Sequence, residues 1–199
     1  MIDTMNSYMR KVPVWLVWLL CLIPVPVLLY LGSTGGLGRE PIKELEHKLG
    51  EIALQLLIAG LCVTPLRRYF GLNLIKFRRA LGLLTFTYVG LHLLVWLVLD
   101  VGILTQIWQD ILKRPYITIG MVGFALMLPL ALTSNNRAVR WLGARWRVLH
   151  RLTYLVAILG GAHFLMLTKG IQLEPVLYMV AILGLIGLRF HRPHRKQAA

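Results

Sequence analysis

Acidic side chains are scarce in this chain: eight Asp and Glu stand against 22 Lys and Arg in 199 residues, and charged residues of both signs make up only 15%. A soluble domain carries about 25% charged residues, so there is too little charge here to coat a water-facing surface. Cysteine is nearly absent as well. Cys21 and Cys62 both fall in apolar runs and read as buried small hydrophobes rather than a disulfide pair. No G-x-G-x-x-G, Walker A or H-E-x-x-H pattern occurs, and the chain therefore lacks its own nicotinamide site. What is abundant is hydrocarbon, with 57% hydrophobic residues and a mean hydropathy of +0.68, against about 45–50% apolar residues in soluble domains. The charges fall between long apolar runs, as in an integral membrane protein.

Six apolar segments can be marked, at 12–31, 49–66, 80–101, 117–133, 149–168 and 175–188. Each is near the roughly 20 residues that cross about 30 Å of hydrocarbon, although the sixth is short and is expected to tilt or to thin the bilayer. The first follows Arg10 and Lys11 as a signal sequence would. It is longer than a usual signal core, contains Pro24 and Pro26 and lacks an A-x-A site, so it reads as a retained span with a proline kink. Short connections make neighbouring spans antiparallel. Residues 102–113 place Ile103, Leu104, Ile107, Trp108, Ile111 and Leu112 at helical spacing, which predicts a helix lying on the membrane surface. Residues 39–50 form a polar helix start that leads into the second span. The expected fold is an all-α, six-transmembrane-helix bundle (12–190) between a short N-terminus (1–11) and a basic tail (191–199).

The net charge of +14 does not point to nucleic acid, because the basic residues cluster beside spans. With six spans both termini share a side. That side carries 16 basic residues, among them Arg67, Arg68, Lys76, Arg78, Arg79, Arg137, Arg140, Arg145, Arg147, Arg151 and Arg189, against six opposite. The positive-inside rule makes it cytoplasmic. Seven of the eight acids lie on the other side, a surface suited to a soluble partner or simply poor in basic residues.

Six histidines can then be sorted by depth. His47, His191 and His194 fall in loops or the tail and read as solvated. His92 lies 12 residues into the third span and His163 lies 13 residues beyond His150, which opens the fifth. At 1.5 Å per residue both are about 18–20 Å from the cytoplasmic ends of parallel spans, hence at one depth. Two imidazoles so placed could clamp a haem iron between facing helices, whereas a lone intramembrane histidine more simply bonds a neighbouring helix. Without a C-x-x-C-H sequence such a haem would carry no thioether links. Gly82, Gly90, Gly160 and Gly161 either leave room for a macrocycle or serve close packing. His150 points about 140° from His163 on an ideal helix, so either the helix deforms, for instance at Gly160-Gly161, or His150 serves another site. Arg78, almost four turns before His92, lies at the depth of His150. It could pair with a haem propionate or a flavin phosphate, or act as a flanking charge.

Histidines on spans three and five, W-R-x-L-H-R-L-x-Y at 146–154 and G-A-H at 161–163 resemble the ferric reductase-like transmembrane domain superfamily. Within it, small size and the lack of an appended flavin domain resemble the haem-binding membrane subunits of methionine sulfoxide reductase systems. The resemblance covers nearly the whole chain. It implies b-type haem held by histidines paired across the two helices, with His92 and His163 as one pair and His150 as a ligand whose usual partner position is occupied by Arg78. One haem or two would then be bound. It further implies FMN, electron supply from the quinone pool or a cytoplasmic flavin reductase, and delivery to a periplasmic molybdopterin-containing catalytic subunit from the bacterial inner membrane. The chain itself would be the electron-transfer subunit. A cytochrome b-type ferric or oxygen reductase is the near alternative, separated by whether a periplasmic oxidoreductase co-purifies. A small proton-coupled transporter using the histidines as relays is the distant one; it would be colourless, and only Glu51 and Asp100 offer carboxylates near spans.

Overall fold

Apolar runs with proline at their starts and glycine at their ends have one stable solution in a bilayer, since a helix satisfies every N–H and C=O internally. The computed structural model describes residues 2–167, 170 and 172–190, and its regular structure among these is all helical. In order the helices are α1 (Ile2–Lys11), α2 (Val14–Leu22), α3 (Pro24–Ser33), α4 (Pro41–Phe70), α5 (Arg78–Val95), α6 (Leu104–Lys113), α7 (Pro115–Leu132), α8 (Asn136–Leu142), α9 (Ala144–Leu149), α10 (Leu152–Leu167) and α11 (Leu173–Phe190). A 3-10 turn, Ile75–Phe77, precedes α5, and a π-helical segment, Trp96–Val101, prolongs it.

Among the described residues six stretches are long and apolar enough to cross a membrane: Val14–Ser33, Pro41–Phe70, Ile75–Val101, Pro115–Leu132, Ala144–Leu167 and Leu173–Phe190. The chain is a multi-pass membrane protein. Their outer faces leave Leu19, Leu99, Leu128, Leu132, Leu177 and Leu183 exposed, an apolar surface that water would not tolerate and lipid covers. The interior is built around α4. On one side Leu45, Leu49 and Ala53 pack with Tyr88 and Val95 of the third span. On the other, Leu54, Leu57 and Leu61 pack with Met127, Val156, Ala157 and Ile182 of the last three spans.

A proline inside a span frees a carbonyl, and in α4 another span satisfies it. Pro65 has no N–H to offer Leu61, and Arg189 of α11 fills the vacancy, Nη2 donating to the Leu61 carbonyl at 2.7 Å and to that of Gly60 at 3.1 Å. The first span breaks between α2 and α3 at Pro24, as its prolines predict, and the buried Tyr88 hydroxyl donates to the Cys21 carbonyl at 2.6 Å beside the break. Gly71, left-handed at φ 72°, ends α4, with the Gly71 and Leu72 N–H groups both donating to Leu66.

Two elements depart from the sequence reading. Residues 2–11, expected only as a terminus, form α1, which is tied to the loop after α4 by Asn6 Nδ2 on the Gly71 carbonyl (3.0 Å) and by Lys76 Nζ on the Arg10 and Val12 carbonyls (2.7 and 2.6 Å). The fifth span is not one straight helix. It breaks at His150-Arg151, between α9 and α10, where Tyr154 N–H reaches back three residues to Arg151 rather than four. A helix is present at 104–113, within the 102–113 expected, with Leu104, Trp108 and Leu112 exposed along one side. His191, His194 and the tail 191–199 lie outside the described residues.

Candidate metal centre

The bundle has a basic end, bearing Arg67, Arg68, Arg78, Arg79 and the α8–α9 arginines, and an acidic end bearing Glu40, Glu44, Glu51, Asp110 and Glu174. α4 and α7 run from the acidic end to the basic end, and α5 and α10 run back, so His92 and His163 return toward the acidic side on two parallel helices.

There the structure brings their rings together, centroids 6.2 Å apart and planes nearly perpendicular at 83°. Each ring is held by its inner nitrogen. His92 Nδ1 lies 2.9 Å from the Glu46 carbonyl oxygen and His163 Nδ1 lies 2.7 Å from that of Tyr116. A carbonyl oxygen only accepts, so each Nδ1 carries the proton and each Nε2 keeps its lone pair. That is the tautomer a metal needs, with the other nitrogen anchored as in metal-ligating histidines generally. Metal–imidazole bonds of about 2 Å, with the ring radii added, put two rings clamping one ion about 6 Å apart. The pair therefore fits a single iron ligated from both sides, and among the described residues no cluster of three or more His, Cys, Asp or Glu offers a competing all-protein metal site.

Toward the basic end lies a cavity of about 660 Å³ with apolar walls from Leu57, Leu83 and Met127 and a cationic rim of Lys76, Arg78, Arg79 and Arg189. No acid lines it. Arg78 faces this space, as does His150. The His150 ring stacks on Trp146 (centroids 3.9 Å apart), and its Nε2 lies 3.0 Å from Thr133 Oγ1. Because that hydroxyl gives its proton to the Pro129 carbonyl at 2.6 Å, Nε2–H of His150 is the donor. His150 and His163 thus belong to different places, and the break at His150-Arg151 rather than at Gly160-Gly161 sets them apart. Between the two places Phe86 of α5 stacks on Phe124 of α7, centroids 5.7 Å apart; Phe86 also lines the cavity and precedes His92 by six residues, about 9 Å.

The glycines divide as well. Gly161 serves close packing, a Cβ there falling 3.0 Å from Met179 Cε, while Gly82 and Gly90 face open space.

Comparison with known proteins identifies the family. Residues 47–161 match the family model described as ferric reductase like transmembrane component, a stretch that holds His92 and His150 and stops just short of His163. The chain is 52% identical over 181 residues to the protein-methionine-sulfoxide reductase heme-binding subunit MsrQ of Agrobacterium fabrum, covering 90% of this chain and 84% of that one. The chain belongs to the MsrQ family. The MsrQ of Brucella ovis is 49% identical over 185 residues with the same coverage, and no solved structure matches.

Sequence reasoning missed the partners that hold the rings: the Glu46 and Tyr116 carbonyls, and Trp146 and Thr133 around His150. Backbone acceptors leave no mark in composition. One signal was available, since Gly50 and Gly120 precede His92 and His163 by 42 and 43 residues on the antiparallel neighbouring helices.

Proposed function

We propose that this chain is the transmembrane electron-transfer subunit of a methionine sulfoxide reductase system, ligating one haem b through His92 Nε2 and His163 Nε2. The observation that carries the reading is the opposed imidazole pair, 6.2 Å between centroids, with both Nδ1 atoms committed to carbonyls. A bound haem supplies a one-electron carrier inside the bilayer. The chain's part is to orient the two rings, keep both neutral and surround them with apolar helices. Electrons enter at the basic, cytoplasmic end from the quinone pool or a cytoplasmic flavin reductase and leave at the acidic, periplasmic end to MsrP, the molybdopterin-containing catalytic subunit that repairs oxidised periplasmic proteins. The membrane is the bacterial inner membrane, with both termini cytoplasmic.

The acid-free cavity supports a second group at the cytoplasmic end, either FMN or a second haem. Arg78 would pair with its phosphate or propionate, and His150 would ligate through Nε2 only by giving up Thr133.

The purified protein is expected to be coloured and low-spin. His92→Ala and His163→Ala remove that spectrum, and His150→Ala retains it. A normal spectrum in either of the first two variants overturns the ligand assignment. Haem per chain, read as the pyridine haemochrome, gives one if His92 and His163 are the sole pair and two if His150 also ligates.

A further inference from the structure

The two rings sit in seats of the same construction. His92 of α5 donates to the carbonyl of Glu46 on α4, and four residues after Glu46 comes Gly50. His163 of α10 donates to the carbonyl of Tyr116 on α7, and four residues after Tyr116 comes Gly120. Glu46 and Tyr116 are 70 residues apart, as are Gly50 and Gly120, while His92 and His163 are 71 apart. The α4–α5 and α7–α10 hairpins run in the same sense, so the seats are related as a parallel repeat.

The spacing of four has a geometric reason. A helical side chain leans toward the N-terminus and covers the turn before its own Cα, which is where the carbonyl of residue i−4 lies. That carbonyl already accepts the N–H of residue i within the helix and keeps a second lone pair. Only glycine at i leaves the second lone pair open to a ring approaching from a neighbouring helix. A Cβ on Gly50 would lie 3.1 Å from His92 Nδ1, and one on Gly120 would lie 2.9 Å from His163 Nδ1. Gly123, one turn further along α7, would place its Cβ in ordinary contact, 3.8 Å from Leu159 Cβ.

We propose that Gly50 and Gly120 are positioning residues which bare the Glu46 and Tyr116 carbonyls and thereby fix the tautomer and seat of the two imidazoles that face each other. The inference rests on the reading of His92 and His163 as a ligand pair.

Gly50→Ala and Gly120→Ala are the tests, with Gly123→Ala as the control. In each of the two variants the displaced ring loses its carbonyl. Haem affinity, titrated into haem-free protein in detergent, falls by about 10-fold or more, the loss typical of an outer-shell partner. The midpoint potential of the bound haem rises, because an imidazole without that hydrogen bond is a weaker donor to the ferric state. Gly123→Ala changes neither. Wild-type affinity and potential in both glycine variants overturn the proposal. A second measurement does not depend on the variants folding or on haem: ¹⁵N spectra of histidine in the haem-free wild-type chain show His92 and His163 protonated at Nδ1. Protonation at Nε2 overturns the proposal. If the wild type takes up no haem, the ligand reading fails, and ¹⁵N spectra of the haem-free wild type set against haem-free Gly50→Ala and Gly120→Ala still decide whether the glycines set the tautomer and the seats.

Discussion

At the residue scale, the identity of a side chain mattered less than the carbonyl it met. His92 and His163 could be paired from the sequence because depth is countable at a fixed rise per residue, and the sequence also placed Arg78 and His150 at one level. Azimuth is not countable in the same way. It depends on where a helix breaks and which backbone acceptors its neighbours expose, so the Thr133 bond of His150 could not be read in advance, and the seats of the other two rings were marked only by the matched offsets of Gly50 and Gly120. The near-perpendicular planes, 83° apart, give a further expectation. A ferric haem ligated by these rings shows a strongly anisotropic low-spin electron paramagnetic resonance signal, whereas a signal of the coplanar type means the rings rotate on binding. Arg189 gives another. Arg189→Leu removes the donors from a carbonyl that Pro65 has left vacant, at a cost of about 1–3 kcal/mol. Thermal melting in detergent should show the loss, while the low-spin signal assigned to a haem between His92 and His163 stays that of the wild type, because that pair lies at the other end of the bundle.

At the element scale, hydropathy located all six spans and the 3.6-residue period located α6, since burial in lipid leaves both signals strong. The period places Leu104, Trp108 and Leu112 on one side of α6 and Gln106 on another. Spin labels introduced by Trp108→Cys and Gln106→Cys, in a chain with Cys21 and Cys62 replaced, test this. The label at 108 is expected to be relaxed more by oxygen than by a water-soluble agent, and the label at 106 the reverse; equal accessibility would mean that α6 does not lie at the interface. α1 was overlooked for a physical reason. Its apolar residues Ile2, Met5 and Tyr8 are few and lie exposed, and its position comes from tertiary bonds through Asn6 and Lys76 rather than from periodicity. The break before α10 left no mark either. No proline or glycine stands at His150-Arg151, and the turn is held by the stack on Trp146 and the bond to Thr133.

At the scale of the whole molecule, charge asymmetry was the most legible feature, and it predicts orientation. A reporter that fluoresces only in the cytoplasm, fused after residue 199, should be bright, and one that is active only in the periplasm should be silent there; the opposite pattern would invert the direction of electron flow proposed above. The clasp of Arg189 on the carbonyl that Pro65 leaves vacant in α4 also bears on how the chain is made. α4 is synthesised early, but the donor lies 128 residues beyond Leu61. At roughly 5–20 residues per second the Leu61 carbonyl waits about 6–26 s for it. Both histidines have already been synthesised by then, so the pair can be closed before the bundle is. Until the last span arrives the Leu61 carbonyl lacks its Arg189 donors, so that span completes the polar pairing of the bundle as well as its packing.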